Sequence, residues 1–409
     1  MYTERNLVRI AKRENNQKRK YLVMNRLQGK HIPVKPHEAL AMFQALANQL
    51  REQYNEERLL VIGFAETATA IGAAVAAALD ADYIQTTREV VPNVEYLYFS
   101  EEHSHATEQK LVKNDIDCAV KTINRILFVE DEVTTGKTIR NIIDVLKKQY
   151  PQKIQFSVAS ILNGMNQEAL DIYNKYGIDL FLLVKTNHFA YTEMAEHFKG
   201  DGIYINCKDD NSKENPEAKS TILEQTKWKD SVSNRNLTEH QIDDKNQPAK
   251  QIYWDKMPKI TYLKVTKHMD TRRVVSSTEY CEFCESLYQE VFSQINLRDN
   301  NNILVLGTEE YMYPALYTAN KLEAQGKEVR FHATTRSPIA VSTEENYPLQ
   351  VRYELASLYD SKRTTYVYNL RKYDIVVIMT DASDGMTAGV SSLVSALKLC
   401  GNEHIIFVW

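Results

Sequence analysis

Glu130 and Asp131 stand side by side at the end of a short apolar run, Ile126 to Val129. They are followed by Glu132, Val133 and the stretch Thr134-Thr135-Gly136-Lys137-Thr138. Adjacent carboxylates accept hydrogen bonds from a vicinal diol, or reach a Mg²⁺ ion through water. A turn of small residues opening a helix presents successive backbone N–H groups, a positive, donor-rich cup for phosphate. Gly136 lets the backbone come close, Thr134, Thr135 and Thr138 add hydroxyls, and Lys137 adds charge. The expected site holds a pentose by its diol on Glu130 and Asp131 and by its 5′-phosphate in the cup.

Three further groups could join that chemistry. Glu66-Thr67-Ala68-Thr69 turns from an apolar strand, Leu59 to Gly63, into a small-residue helix, Ala70 to Leu79. Glu66 is unusual for an anion loop, because it repels a phosphate unless Mg²⁺ or a substrate cation intervenes. Arg88, near the end of a third strand from Tyr83, suits a diphosphate or carboxylate as a planar fork, or a surface ion pair. His103 and His105 lie between Val91 and Val112; they titrate near neutrality, and H-x-H also suits a metal.

The elements that must position these groups alternate. Strands at 126–129, 154–162 and 180–184 are separated by helical patterns, which implies an α/β fold with a mainly parallel sheet and helices on both faces. Pro36 opens a helix running to Tyr54, and Tyr21 to Asn25 reads as a strand. The first 20 residues carry so many charges that a solvated segment is expected there, with a hood strand or an interaction arm as the alternatives. Length alone, 409 residues, favours two domains. The polar text from Lys208 onward sets their boundary, with 1–207 as the first domain, 208–255 as a linker and 256–409 as the second.

A net charge of -4 gives no electrostatic footprint for nucleic acid, which is not expected as a partner. No apolar run is long enough to span a membrane. Five scattered cysteines suggest reduced thiols and a cytoplasmic location, and Cys281 and Cys284 read as helix residues rather than a metal pair. A small-molecule acceptor is the expected partner, and a homodimer is compatible with the pattern.

The second half repeats the first. Asn302 to Gly307 followed by Thr308-Glu309-Glu310 echoes Leu59 through Glu66, and Phe331-His332-Ala333-Thr334-Thr335-Arg336 echoes Tyr83 through Arg88. Ile375 to Met379, then Thr380-Asp381 and a turn containing Ser383, Asp384 and Gly385, mirrors the acid-bearing strand and its loop. We expect a duplication, with a second anion-ready site from Glu310, Arg336, Ser337, Asp381 and Asp384.

The Glu130–Thr138 segment resembles the phosphoribosyl-diphosphate (PRPP) motif of type I phosphoribosyltransferases. The segments Gly29-Lys30-His31-Ile32-Pro33, Glu101-Glu102-His103-Ser104-His105-Ala106 and Thr335-Arg336-Ser337-Pro338 resemble the tellurium-resistance and stress-operon family that carries a C-terminal TRSP domain. That resemblance implies a Mg²⁺-dependent transfer of phosphoribose from PRPP to an acceptor, in making a nucleotide-like metabolite. It makes Glu66–Thr69 the diphosphate loop and puts His103 and His105 on a flap that closes over PRPP. The alternative is a PRPP- or nucleotide-sensing regulator without turnover. A phosphoribosyl hydrolase working at Asp381 and Asp384 is a weaker third reading.

Overall fold

Short runs rich in Val, Ile and Leu, each bounded by turn residues, form the central strands, and the helices between them return the chain in the same direction. The computed structural model describes residues 1–409 except 15, 17–18, 100–108, 152–153, 209–257, 296, 298–301 and 383–387. In chain order the strands of the first half are β1 (Val8–Lys12), β2 (Tyr21–Asn25), β3 (Leu59–Gly63), β4 (Asp82–Gln85), β5 (Tyr96–Phe99), β6 (Gln109–Val112), β7 (Arg125–Val133), β8 (Gln155–Asn163), β9 (Ile178–Lys185) and β10 (Ile203–Asn206). The second half adds β11 (Lys259–Leu263), β12 (Val275–Ser276), β13 (Asn302–Gly307), β14 (Glu328–Ala333), β15 (Val351–Ala356), β16 (Thr364–Tyr368), β17 (Ile375–Met379) and β18 (His404–Val408).

Two parallel sheets result. The first runs β4-β3-β7-β8-β9, and the second runs β14-β13-β17-β18-β11. Strands paired by the sequence echo, β3 with β13, β4 with β14 and β7 with β17, thus occupy matching places. Each sheet is accompanied by an antiparallel hairpin, β5–β6 in one half and β15–β16 in the other. The hairpins attach alike: Thr87 bridges Lys110, and Thr335 bridges Tyr366.

The halves are interleaved. β10 precedes the 209–257 stretch yet pairs with β15, and β12 follows it yet pairs antiparallel with β4. Helices Pro36–Tyr54 and Thr69–Leu79 pack against helix Tyr313–Ala324, so one apolar cluster runs through both halves.

The charged N-terminal segment is not a solvated arm. Leu7, Val8, Ile10 and Ala11 are buried, and β1 pairs antiparallel with β2 to form a hairpin. Arg9 and Lys12 are only half-buried while Val8, Ile10 and Ala11 are buried, and this hides the apolar set from a reading by composition. All five cysteines are free thiols, with Cys284 buried on the helix Ser277–Phe292 as expected.

Candidate active site at the carboxyl end of the first sheet

β7 is longer than its apolar core: it continues through Glu130, Asp131 and Glu132 to Val133. Pairing with β8 holds this acidic extension rigid, with Glu130 opposite Ser160 and Glu132 opposite Leu162. The chain then turns through Thr134 and Thr135 to Gly136, and the helix Lys137–Gln149 begins two residues earlier than its apolar spacing suggests. Lys137 and Thr138 therefore sit in the first turn, whose N–H groups lack intrahelical partners; the Lys137 N–H donates to the Thr135 hydroxyl at 3.3 Å.

Gly136 adopts φ +65°, the left-handed region, and its carbonyl accepts a hydrogen bond of 2.9 Å from the Tyr173 hydroxyl. A Cβ there would collide with that same hydroxyl. Gly136→Ala is therefore expected to cost about 1–3 kcal/mol and to distort the cup. A thermal melt read beside PRPP binding checks this, both falling together.

A cleft of about 480 Å³ opens over these residues. Glu130, Asp131, Glu132, Val133, Thr134, Thr135, Gly136, Lys137 and Thr138 line it, together with Glu66, Thr67 and Arg88. The Thr67 hydroxyl donates to Asp131 at 2.8 Å, which ties the loop after β3 to the acid on β7. Burial pushes the Asp131 carboxyl up, against that hydrogen bond. Glu132 turns aside: it takes Arg19 at 2.6 Å, with His188 at 3.5 Å. Val133 is buried, and Ala68 and Thr69 are buried behind the loop rather than on the cleft wall. The Ala65–Glu66 peptide is cis. His103 and His105 lie outside the described residues.

Glu66 faces the second half of the chain. Its carboxylate accepts from the Thr335 hydroxyl at 2.6 Å and the Arg336 N–H at 2.9 Å, with Lys30 Nζ at 3.3 Å. Burial alone would raise this carboxyl, but Lys30 and Arg336 overcome it and hold it down at about 2. The exchange is reciprocal. Glu310 accepts from the Thr87 hydroxyl at 2.8 Å and the Arg88 N–H at 3.3 Å. Each half thus offers a Glu from its first βα turn to the Thr-Arg pair of the other.

This arrangement alters the expected second site. Arg336 lies among four carboxylates, Glu66, Glu89, Glu309 and Glu310, within 2.7–3.5 Å, so its guanidinium is already paired. Arg336 and Ser337 line the first cleft instead of a separate one. Asp381 is met by Arg272 at 2.5 Å and by the Tyr359 hydroxyl at 2.6 Å. Asp384 lies outside the described residues. Sequence spacing could not show that Arg336 would join carboxylates of both halves, Glu309 and Glu310 of its own and Glu66 and Glu89 of the other.

Several lining residues were absent from the expected set, among them Arg13, Arg19, His31 and Pro338. His31 and Pro338 lay within the family-like segments Gly29–Pro33 and Thr335–Pro338, so a signal existed; Arg13 and Arg19 carried none beyond charge.

Residues 7–188 match a family model described as phosphoribosyl transferase, and residues 275–397 match the TRSP domain that follows that transferase. Among solved structures, the chain is similar to adenine phosphoribosyltransferase from Rhodothermus marinus at 15% identity, covering 44% of this chain and 96% of that one, with a TM-score of 0.33. An adenine phosphoribosyl transferase from Trypanosoma brucei, in complex with AMP, pyrophosphate and ribose-5-phosphate, aligns at 12% identity over 44% of this chain and 76% of that one, with a TM-score of 0.31. Orotate phosphoribosyltransferase from Aeropyrum pernix aligns at 17% identity over 43% and 85%, with a TM-score of 0.28. No curated protein matches the chain.

Proposed function

Since the chain is a phosphoribosyltransferase of the family that carries a TRSP domain behind it, we propose that it moves phosphoribose from PRPP to a small acceptor in the cleft above β7. The observation that carries the reading is one continuous wall: paired acids on a rigid strand end, then a left-handed glycine, then an open helix N-terminus. PRPP places its 5′-phosphate in the Thr134–Thr138 cup and its diol on Glu130 and Asp131. Its diphosphate lies toward Thr67 and Arg88. The chain contributes position and charge, and orienting two reactants supplies about 7–11 kcal/mol of a barrier.

The donor set suits Mg²⁺. Among the described residues no cluster of three or more His, Cys, Asp or Glu is placed to hold a metal. Glu130 and Asp131 supply two carboxylates, and Mg²⁺ is commonly held by one or two carboxylates plus substrate phosphates and water. Bound there, the ion would neutralise the leaving diphosphate.

We also propose that the second half, from about residue 256, is a diverged copy whose own ribose site is closed. Thr380 stands where the first acid would be, and Asp381 is held by Arg272. Calorimetry is therefore expected to find one PRPP per chain; two would overturn the closed-copy reading. The enzymatic reading is tested by incubating the protein with PRPP, Mg²⁺ and a cell metabolite extract. Mass spectrometry should find a new species heavier by a phosphoribosyl group. PRPP binding without diphosphate release against any extract would mark a sensor instead.

A further inference from the structure

Thr67 and Arg88, toward which the diphosphate of PRPP lies, sit on segments that the second half of the chain holds. In the loop after β3, first-half side chains fix the backbone on both sides of Glu66. Ala65 N–H donates to the Thr86 hydroxyl at 2.9 Å, and Gln28 Nε2 donates to the Thr67 carbonyl at 2.6 Å. The Glu66 side chain is fixed from the second half. The Thr335 hydroxyl and the Arg336 N–H both donate to one of its oxygens, Oε1. Lys30, fully buried, lies beside that oxygen and donates from Nζ to the Glu309 carbonyl at 2.8 Å.

The donors of this tether are themselves anchored. Thr335 is wholly buried and exchanges two backbone hydrogen bonds with Tyr366 on β16, at 2.8 and 2.7 Å. The Arg88 segment is held in the same manner. Glu310, 2% exposed, accepts from the Thr87 hydroxyl and the Arg88 N–H, and is steadied by Arg272 at 3.2 Å and Arg336 at 3.0 Å.

A carboxylate in a loop that faces diphosphate repels it unless the charge is offset. Lys30 and Arg336 beside Glu66 supply the offset, so Glu66 can tether the loop without spoiling it for an anion. The ribose phosphate end is built otherwise. There β8 pairs with the acidic end of β7, Tyr173 holds Gly136, and Arg19 holds Glu132, all of them first-half residues.

We propose that the second half is the positioning element for the diphosphate end of the cleft. Thr335 and Glu310 are positioning residues: they hold the Glu66 loop and the Arg88 segment in the arrangement that receives diphosphate. The ribose phosphate end stands on first-half residues. The inference rests on the PRPP reading above and adds to it a task for the second half. Tethering and binding are then linked in both directions, so diphosphate tightens the contact between the halves as much as that contact favours diphosphate.

The test uses the full chain with Mg²⁺ and calorimetry, with diphosphate, ribose 5-phosphate and PRPP as probes. Thr335→Val removes the hydroxyl that tethers Glu66 and keeps the shape of the side chain. It should weaken diphosphate and PRPP about 10-fold and leave ribose 5-phosphate within about twofold. Thr335→Ser, which restores the hydroxyl, should recover the loss. Equal weakening of diphosphate and ribose 5-phosphate, or wild-type diphosphate affinity in Thr335→Val, would overturn the assignment. Hydrogen exchange in the wild-type chain needs no variant. Diphosphate should slow exchange at the Arg336 and Arg88 amides, the N–H groups given to Glu66 and Glu310, and ribose 5-phosphate should not. Protection by both probes alike, or by neither, counts against the proposal. A wild-type chain that binds neither PRPP nor ribose 5-phosphate would remove the PRPP reading itself, a failure distinct from a uniform loss in the variant.

Discussion

Asp131→Asn should lower phosphoribosyl transfer by about 10²–10³ in kcat, the loss typical when one pre-placed stabilising group is removed. The variant is nearly isosteric, and the Asn carbonyl oxygen can still accept the 2.8 Å hydrogen bond from Thr67. What disappears is the negative charge beside the carbon that gains positive character as diphosphate departs. Burial already works against this carboxylate, so a neutral amide should be tolerated without loss of stability. The measurement pairs diphosphate release with a thermal melt. A melting temperature at or above wild type, together with the kinetic loss, identifies a chemical role. An unchanged rate would remove Asp131 from the site.

The second large effect concerns Arg336. Truncation to Ala would leave Glu66, Glu89, Glu309 and Glu310 facing one another without the cation that now sits 2.7–3.5 Å from each. Removing one partner of a buried ion pair costs about 3–5 kcal/mol, because the remaining charges lose compensation. Arg336→Ala should therefore melt well below wild type, whereas Glu66→Gln, which keeps acceptors for Thr335 and the Arg336 N–H, should lose less. Acid provides an independent check. The Glu66 carboxyl is held down at about 2 from an ordinary 4.5, so its contribution is full above about pH 4.5 and is lost as pH falls toward 2. The corresponding slope in an acid titration should flatten in Glu66→Gln.

Much of the candidate site was legible because its elements are contiguous. The strand, acids and cup occupy Ile126 to Thr138 without a gap, and local rules suffice for such a stretch. The echo between the halves was legible for the same reason: strand, Gly and Glu recur at one spacing, and the two sheets have matching strand orders. What escaped was everything set by long-range packing. Glu66 looked misplaced in an anion loop because its partners, Thr335 and Arg336, lie some 270 residues away. The second acid site looked open because Arg272, which fills it, stands in a stretch without a motif. The hairpin β1–β2 looked like a solvated segment because the few apolar residues that anchor it, Leu7, Val8, Ile10 and Ala11, are scattered among charges and find their partners only through packing.

The mutual grip of the βα turns also constrains inheritance. A Glu at the first turn of either half is useful only if the opposite half keeps its Thr-Arg pair, so neither half is free to drift alone. Grafting a foreign C-terminal half onto this transferase would fail wherever the donor's residues at 310, 335 and 336 do not suit the recipient's at 66, 87 and 88.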